Sequence, residues 1–191
     1  GGMLGSLVKL GTPMAIKTAS IHISKLFVNS YVNSYGLDVS AFAGIANKIG
    51  SISNLISAAM NTAGSTIVGQ NIAAREYGRV KGVLKRLAVI TLSVSTLMSA
   101  ALLLFPNAIF GFLGDNDPAI LEIARGYLPI GVLLFYGSAA RAIMNALMNG
   151  SGHTKVNFAT AILDGIVLRI GLSLLFGLWL GYEHYGFWLG D

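Results

Sequence analysis

Residues 87–114 read LAVITLSVSTLMSAALLLFPNAIFGFLG and contain no charged side chain. A helix needs about 20 consecutive, mostly apolar residues to cross the hydrocarbon core of a bilayer. This stretch is long enough, and Pro106, which disfavours a continuous helix, lies near its far end. The sequence therefore predicts a membrane-spanning helix here, and the rest of the chain can be read outward from it.

The whole chain has the composition of a membrane protein. Of its 191 residues, 54% are hydrophobic and 11% are charged, and its mean hydropathy is +0.69. Soluble domains carry about 25% charged residues. This composition argues against a soluble enzyme, a disordered tail and a solvated coiled coil. There is no cysteine, so disulfides and thiolate chemistry are excluded.

Four further segments are long and apolar enough to be spans. We expect an all-α polytopic membrane protein with five complete spans at 7–35, 39–69, 87–114, 119–150 and 156–181. A sixth span is expected to begin at 185, where aromatic residues suited to the headgroup region cluster. The chain stops soon afterwards and starts with Gly, so we expect it to be a piece of a longer protein.

The predicted connections alternate in charge along the chain. One set is basic and holds Lys9, Arg75, Arg79, Lys81, Lys85, Arg86 and Lys155; the other is acidic and holds Asp38, Asp115, Asp117, Glu122 and Glu183. Glu76 and Arg125 are the exceptions. Cytoplasmic connections are enriched in Lys and Arg, so the basic set is predicted to lie inside the cell. The basic charge of the loop predicted from 70 to 86 is thus explained by its cytoplasmic orientation. We therefore expect no nucleic-acid partner.

Polar residues recur at helical spacing in four of the five spans. Spacings of three and four residues place them on one face of each helix. The candidate residues of a substrate or ion cavity are His22, Lys25, Asn29, Asn47, Asn54, Arg141, Asn145 and Asp164. We expect the first, second and fourth spans to line a hydrated cavity. The simpler alternative is that these side chains hold helices together, as small and amide side chains do in membranes.

Motifs for other chemistry do not occur in the sequence. It has no phosphate-binding Walker pattern and no HExxH motif, and its three His are far apart. We therefore expect no enzyme, no catalytic residues, no metal site and no cofactor.

Several segments resemble the multidrug and toxic compound extrusion (MATE) transporter family. Residues 68–81, VGQNIAAREYGRVK, resemble the loop after the second helix of each lobe in that family, with Ala73-Ala74 where Gly-Ala is usual. Residues 141–155, RAIMNALMNGSGHTK, look like the end of the fourth helix and its inner loop. Residues 10–15, LGTPMA, look like the start of a lobe.

The resemblance implies a twelve-helix protein of two lobes, with residues 1–191 as the C-terminal lobe: helices seven to eleven and the start of twelve. It implies export of small amphipathic compounds or drugs, driven by Na⁺ or H⁺ through alternating access, in the bacterial inner membrane. The implied partners are the lipid bilayer, the missing N-terminal lobe and a small-molecule substrate.

The charged residues depart from the family pattern. Family C-lobes can carry acids on their first and fourth helices, whereas this chain has Lys17, His22, Lys25 and Arg141 there. Asp164 is expected to pair with Arg141, because Arg169 lies about 140° further around an α-helix. The excess of cations leaves an anionic or zwitterionic substrate open.

Two other functions stay open at this point. One is a flippase for lipid-linked oligosaccharides or polysaccharides, in which Lys17, Lys25, Lys48, Arg141 and Arg169 would suit a pyrophosphate. The other is a membrane subunit that does not transport. The sequence names neither the substrate nor the coupling ion.

The charge asymmetry predicts which side of the membrane each connection faces. A fluorescent protein that matures only in the cytoplasm should fluoresce when fused after Lys155, and alkaline phosphatase, active only outside, should be inactive there. Fusions after Asp117 are the control and should give the opposite pair of results. Phosphatase activity after Lys155 would contradict the orientation.

Overall fold

The computed structural model describes the backbone of residues 2–114 and 117–190. Side chains at 1–11, 13, 14, 17, 154, 157 and 164–166 lie outside that description. The helices in chain order are α1 (Gly2–Asn33), α2 (Leu37–Ala73), α3 (Tyr77–Leu104), α4 (Pro106–Leu113), α5 (Pro118–Gly150), α6 (Thr154–Ile162), the π-helix π1 (Leu163–Leu168), α7 (Arg169–Leu174), the π-helix π2 (Leu175–Trp179) and α8 (Glu183–Gly190).

Two of the described helices are long and apolar enough to cross a membrane. They are α3, with 28 residues, and α5, with 33. A shorter apolar helical stretch covers Arg169–Trp179. The uncharged run that predicted one span is divided between α3 and α4, which are separated by Phe105. Pro106 explains the break, because it has no N–H and its ring clashes with the preceding turn of a helix.

The prediction of a loop from 70 to 86 was wrong in its extent. Only residues 74–76 lie outside helices α2 and α3, and Arg75, with a φ of 59°, lies where the chain turns. Lys, Arg and Leu are good helix formers, so the basic segment continues as the first turns of α3. The basic side chains therefore extend α3 at its predicted cytoplasmic end.

The chain divides into two compact units, and the larger contains residues 37–154. In this unit α2, α3 and α5 pack on one another. Contacts pair Ser57 with Ser138 and Val68 with Gly150, so α2 and α5 run parallel. Ser95 contacts Phe135 and Leu102 contacts Gly131, so α3 runs antiparallel to α5 and therefore also to α2. These directions agree with the alternation of the predicted spans.

Small polar residues are buried in this unit, and several large leucines face outward. Thr91, Ser95 and Ser99 line the buried face of α3, whereas Leu97 on the same helix is 71% exposed. Leu55 of α2 is 73% exposed. A water-soluble bundle would bury such leucines. Small residues at helix contacts and leucine on the outside are the arrangement expected of helices packed in lipid.

Glycine permits the closest contact between the helices. A Cβ added at Gly64 would lie 2.6 Å from Leu87 Cδ2 and 2.8 Å from Ala146 Cβ. A Cβ added at Gly150 would lie 2.8 Å from the backbone oxygen of Ser65. Small residues let helix backbones approach each other in this way. Helices α2, α3 and α5 therefore meet at positions where no side chain fits.

The smaller unit contains residues 1–36 and 155–191. Here α1 contacts π1, α7 and α8, and α8 packs against α7 and π2. Phe187 of α8 is fully buried and stacks on Tyr31 of α1, with the ring centroids 5.2 Å apart. Ser173 of α7 donates a hydrogen bond to the Phe187 carbonyl, at 3.1 Å. The predicted span 156–181 is therefore a mixed α- and π-helical segment.

The packing of α2 predicts that alanine substitutions at two of its glycines have different effects on stability. Gly64→Ala should lower the thermal stability of the detergent-solubilised protein, because the new methyl overlaps two neighbouring side chains. Gly50→Ala is the matched control, since nothing lies within 4 Å of its added Cβ. That change should be neutral or stabilising by up to about 1 kcal/mol, the helix-propensity gain of Ala over Gly. Equal melting temperatures for the two variants would contradict this packing.

Candidate functional site

The candidate residues of α2 and α5 lie at the surface of the larger unit. Asn47, Asn54 and Arg141 are exposed and Asn145 is half-buried. We call the face of α2 that carries Asn47 and Asn54 its amide stripe. The buried residues of α2 on its packing side include Ser53, Ser57 and Gly64, which do not belong to that stripe. The amide stripe of α2 is therefore separate from the contact surface that holds the bundle together.

The amide stripe of α2 meets the polar face of α5 through direct side-chain hydrogen bonds. Arg141 Nη2 donates to Asn54 Oδ1 at 2.7 Å, and Asn149 Nδ2 donates to Asn61 Oδ1 at 3.3 Å. A guanidinium can only donate, so the Asn54 amide oxygen must face it. The second and fourth predicted spans thus bring Asn54 and Arg141 together, although 87 residues separate them in the chain.

A second polar contact lies in the interior of the same unit. Ser57 Oγ donates to the Ser138 carbonyl at 3.0 Å, and Ser95 Oγ donates to the Phe135 carbonyl at 3.1 Å. Between them is a cavity of about 10 Å³, lined among others by Ser53, Ser57, Thr91, Ser95 and Ser138. This volume is about that of one water molecule. It is too small for an organic substrate.

Sequence reasoning did not select these interior serines. The hydroxyls of α3 differ in their partners: Thr91 donates to the Leu87 carbonyl of its own helix, whereas Ser95 donates to a carbonyl of α5. A signal that could have found them is the small-residue spacing of Ser53, Ser57 and Gly64 along α2.

Lys48 has a structural role in this unit. Its Nζ donates to the carbonyl of Leu113 at 2.5 Å, at the last residue of α4. The final carbonyls of a helix have no partner within the helix and carry partial negative charge, so a lysine here stabilises the helix end. The ammonium of Lys48 therefore stabilises the end of α4.

The other candidates belong to the smaller unit. On α1, His22 is exposed, and Lys25 and Asn29 are half-buried beside the buried residues Ser24 and Val28. The cavity that we predicted between the first, second and fourth spans would draw on both units, and it stays a prediction.

Asp164 lies on π1, and its side chain is outside the described residues. Its expected pairing with Arg141 therefore stays a prediction. The argument against Arg169 as its partner assumed α-helical geometry, and the structure corrects that premise. A π-helix forms i→i+5 hydrogen bonds, so positions five apart are one turn apart along it. Arg169 itself is 6% exposed.

Among the residues whose side chains the structure describes, a set that leaves out Asp164, no three His, Asp or Glu lie close enough together to hold a metal ion. The site that they do form offers neutral amides and one guanidinium. Such groups can bind and orient a polar ligand, and they contain no nucleophile paired with a base.

The MatE family model matches residues 13–175, which is most of the chain. The chain belongs to the MatE family. This confirms the MATE resemblance drawn from the sequence. Two curated relatives from Bacillus subtilis (strain 168) are the probable multidrug resistance proteins YoeA, 24% identical over 94% of this chain, and YpnP, 26% identical over 96%. The chain spans 41% of the length of each.

A solved structure shows the same fold. It is a multidrug resistance MATE family transporter in an inward-facing conformation, and it superimposes with a TM-score of 0.77 at 18% identity. The match covers 99% of this chain and 44% of that one. The prediction of an all-α membrane protein with the fold of half a MATE transporter is therefore confirmed.

The role of Lys48 predicts a loss of stability that depends on its position. Lys48→Met should lower the free energy of unfolding by about 1 kcal/mol, the usual net value of a hydrogen bond. Lys85→Met is the control, because Lys85 is exposed near the start of α3. Thermal unfolding of the two solubilised variants measures the difference. If Lys85→Met melted at or below the temperature of Lys48→Met, the assigned role would be wrong.

Proposed function

We propose that this MatE family protein is a secondary active transporter that exports small amphipathic compounds by alternating access. One observation carries the proposal. Within a lobe of MATE fold, α2 and α5 present a face of amides and one guanidinium on the outside of a bundle that also exposes large apolar side chains such as Leu55 and Leu97. A charged residue in a span faces protein or a water-filled cavity far more often than lipid.

The rest of the proposal concerns the whole protein. The curated relatives are more than twice as long as the chain, so the remainder would supply the second lobe and the other wall of the cavity. Export would be coupled to entry of Na⁺ or H⁺ through the bacterial inner membrane, since the sequence contains no nucleotide-binding motif for an ATP-driven step. We expect a transporter and no enzymatic activity.

A flippase of the same wider superfamily is the second candidate. Arg141 supports it, because a pyrophosphate would need cations on the cavity surface. Lys48 counts against it, since its ammonium is bonded to the end of α4. A non-transporting membrane subunit stays the third possibility and predicts that changes at Arg141 affect assembly alone.

Transport by reconstituted vesicles tests the proposal. Protein from the whole reading frame, placed in liposomes loaded with a fluorescent amphipathic dye, should export the dye when an inward Na⁺ or H⁺ gradient is imposed. A sodium ionophore should abolish export that is coupled to Na⁺, and a protonophore should abolish export that is coupled to H⁺. The compound that stops export therefore identifies the coupling ion. Protein-free liposomes are the control. Dye loss at the same rate with and without a gradient would refute coupled transport.

A further inference from the structure

We propose that a groove on α3 between Arg79 and Arg86 binds the headgroup of an anionic phospholipid from the predicted cytoplasmic leaflet. The acyl chains of this lipid would lie along the exposed apolar side chains that continue the same face of the helix. The ligand is thus a membrane lipid with a net negative charge, and the site does not depend on the proposed transport.

The first turns of α3 are strongly basic. They hold Arg79, Lys81, Lys85 and Arg86 and no acid, and all four side chains are exposed. Glu76, just before the helix, approaches Arg79 Nε at 3.8 Å, which is too long for a hydrogen bond. An exposed ion pair of this kind contributes little, so the segment keeps its positive charge. Clusters of four or more Lys and Arg at the cytoplasmic end of a span are typical of sites for anionic lipids.

Two of these cations share one exposed face of α3. Arg79 and Arg86 are seven residues apart, which is close to two helical turns. Ile90, Leu97 and Leu104 continue this face at spacings of four, seven and seven residues, and all three are exposed. The residues that α3 buries lie on another face. Along one line, the exposed surface therefore changes from cationic to apolar, as a phospholipid changes from headgroup to acyl chain.

The position of Arg86 along α3 matches the edge of a hydrocarbon core. It precedes Leu104, the last residue of α3, by 18 residues, which is about 27 Å along a helix. The hydrocarbon core of a bilayer is about 30 Å thick. The uncharged part of α3 after Arg86 can therefore cross almost the whole core, which leaves Arg86 where the headgroup region begins. Arg79 lies about 10 Å further out, and long side chains let both guanidiniums extend toward a phosphate between them.

The groove between the two arginines has room for a headgroup. Its volume is about 470 Å³, and it is lined by Asn71, Arg79, Gly82, Val83 and Arg86. Nothing lies within 4 Å of a Cβ added at Gly82, so the helix backbone is accessible between the two guanidiniums. Guanidinium groups bind phosphate oxygens strongly, often through two bonds at once. A phosphate can therefore lie over Gly82 with an arginine on either side.

The apolar continuation of this face favours a lipid over a soluble phosphate compound. A soluble ligand would contact the arginines alone, whereas a lipid would also cover Ile90 and Leu97, which are exposed on a membrane helix. Headgroups also surround this end of a span at high local concentration. One occupant thus accounts for both the cationic and the apolar part of the face.

Binding of two fluorescent lipids tests the proposal. The probes are phosphatidylglycerol, which is net negative, and phosphatidylcholine, which is zwitterionic, with the same labelled acyl chains. Fluorescence anisotropy measures their affinity for the solubilised protein from the whole reading frame. Phosphatidylglycerol should bind about 30-fold more tightly, the equivalent of about 1 kcal/mol for each of the two arginines. Equal affinities would overturn the proposal.

Paired charge variants locate the preference. Arg79→Gln combined with Arg86→Gln should abolish it. Lys81→Gln combined with Lys85→Gln is the matched control, because it also removes two exposed cations from the same turns of α3 but none from the groove. The control should keep the preference. An equal loss in both double variants would mean that general charge attracts the lipid, and the site would be wrong.

A variant that keeps every charge tests the groove itself. Gly82→Leu fills the space between the arginines and should weaken phosphatidylglycerol binding. Gly78→Leu should not, because Gly78 is equally unobstructed but does not line the groove. Unchanged binding by Gly82→Leu would contradict the assigned position.

Competition separates a lipid from a soluble ligand. Excess inorganic phosphate should leave phosphatidylglycerol bound, because it lacks the acyl chains that cover Ile90 and Leu97. Displacement of the lipid by phosphate would show that the groove takes soluble phosphate compounds and would overturn the lipid assignment. None of these measurements requires transport, so failure of dye export would leave the lipid site standing, and equal lipid affinities would leave coupled export standing.

Discussion

The close parallel packing of α2 and α5 is the contact on which the rest of the larger unit depends. Gly64, Ala146 and Gly150 leave no room for larger side chains at this interface, and Ser57 bonds the backbone of the opposite helix. Without a hydrophobic driving force between helices in lipid, such close contacts and hydrogen bonds hold a membrane bundle together. The interface also fixes which faces of both helices are left outside it.

Those outer faces explain why polar residues can be exposed in a membrane protein. Once small residues occupy the interface, the amides of α2 and the guanidinium of α5 lie beside each other at its edge. Asn54 and Arg141 meet there, and Lys48 is bonded to α4. Two cations, one on each helix, thus have different partners: Lys48 bonds the end of α4, and Arg141 bonds the amide of Asn54.

Hydropathy, charge and periodicity predicted the helical membrane fold and the polar faces because each depends on local sequence. The uncharged run 87–114 indicated a span, and the stripe of Asn47 and Asn54 indicated one face of a helix. Contacts between distant residues were beyond such reasoning: Lys48 meets Leu113 across 65 residues, and Arg141 meets Asn54 across 87. The π-helical turns around Asp164 were also unpredictable, since spacing arguments assume α-helical geometry.

Water accessibility of the α2 face tests the account most directly. The chain has no cysteine, so Ser51→Cys and Leu97→Cys can each be labelled with a water-soluble maleimide in protein whose other cysteines, if any, are replaced. Both positions are exposed, and since Leu87 contacts Gly64 across antiparallel helices, Leu97 lies near the depth of Asn54. Thiols react as thiolates, which need water. We predict rapid labelling of Ser51→Cys and none of Leu97→Cys. Equal labelling of both, or labelling of Leu97→Cys alone, would contradict a hydrated polar face.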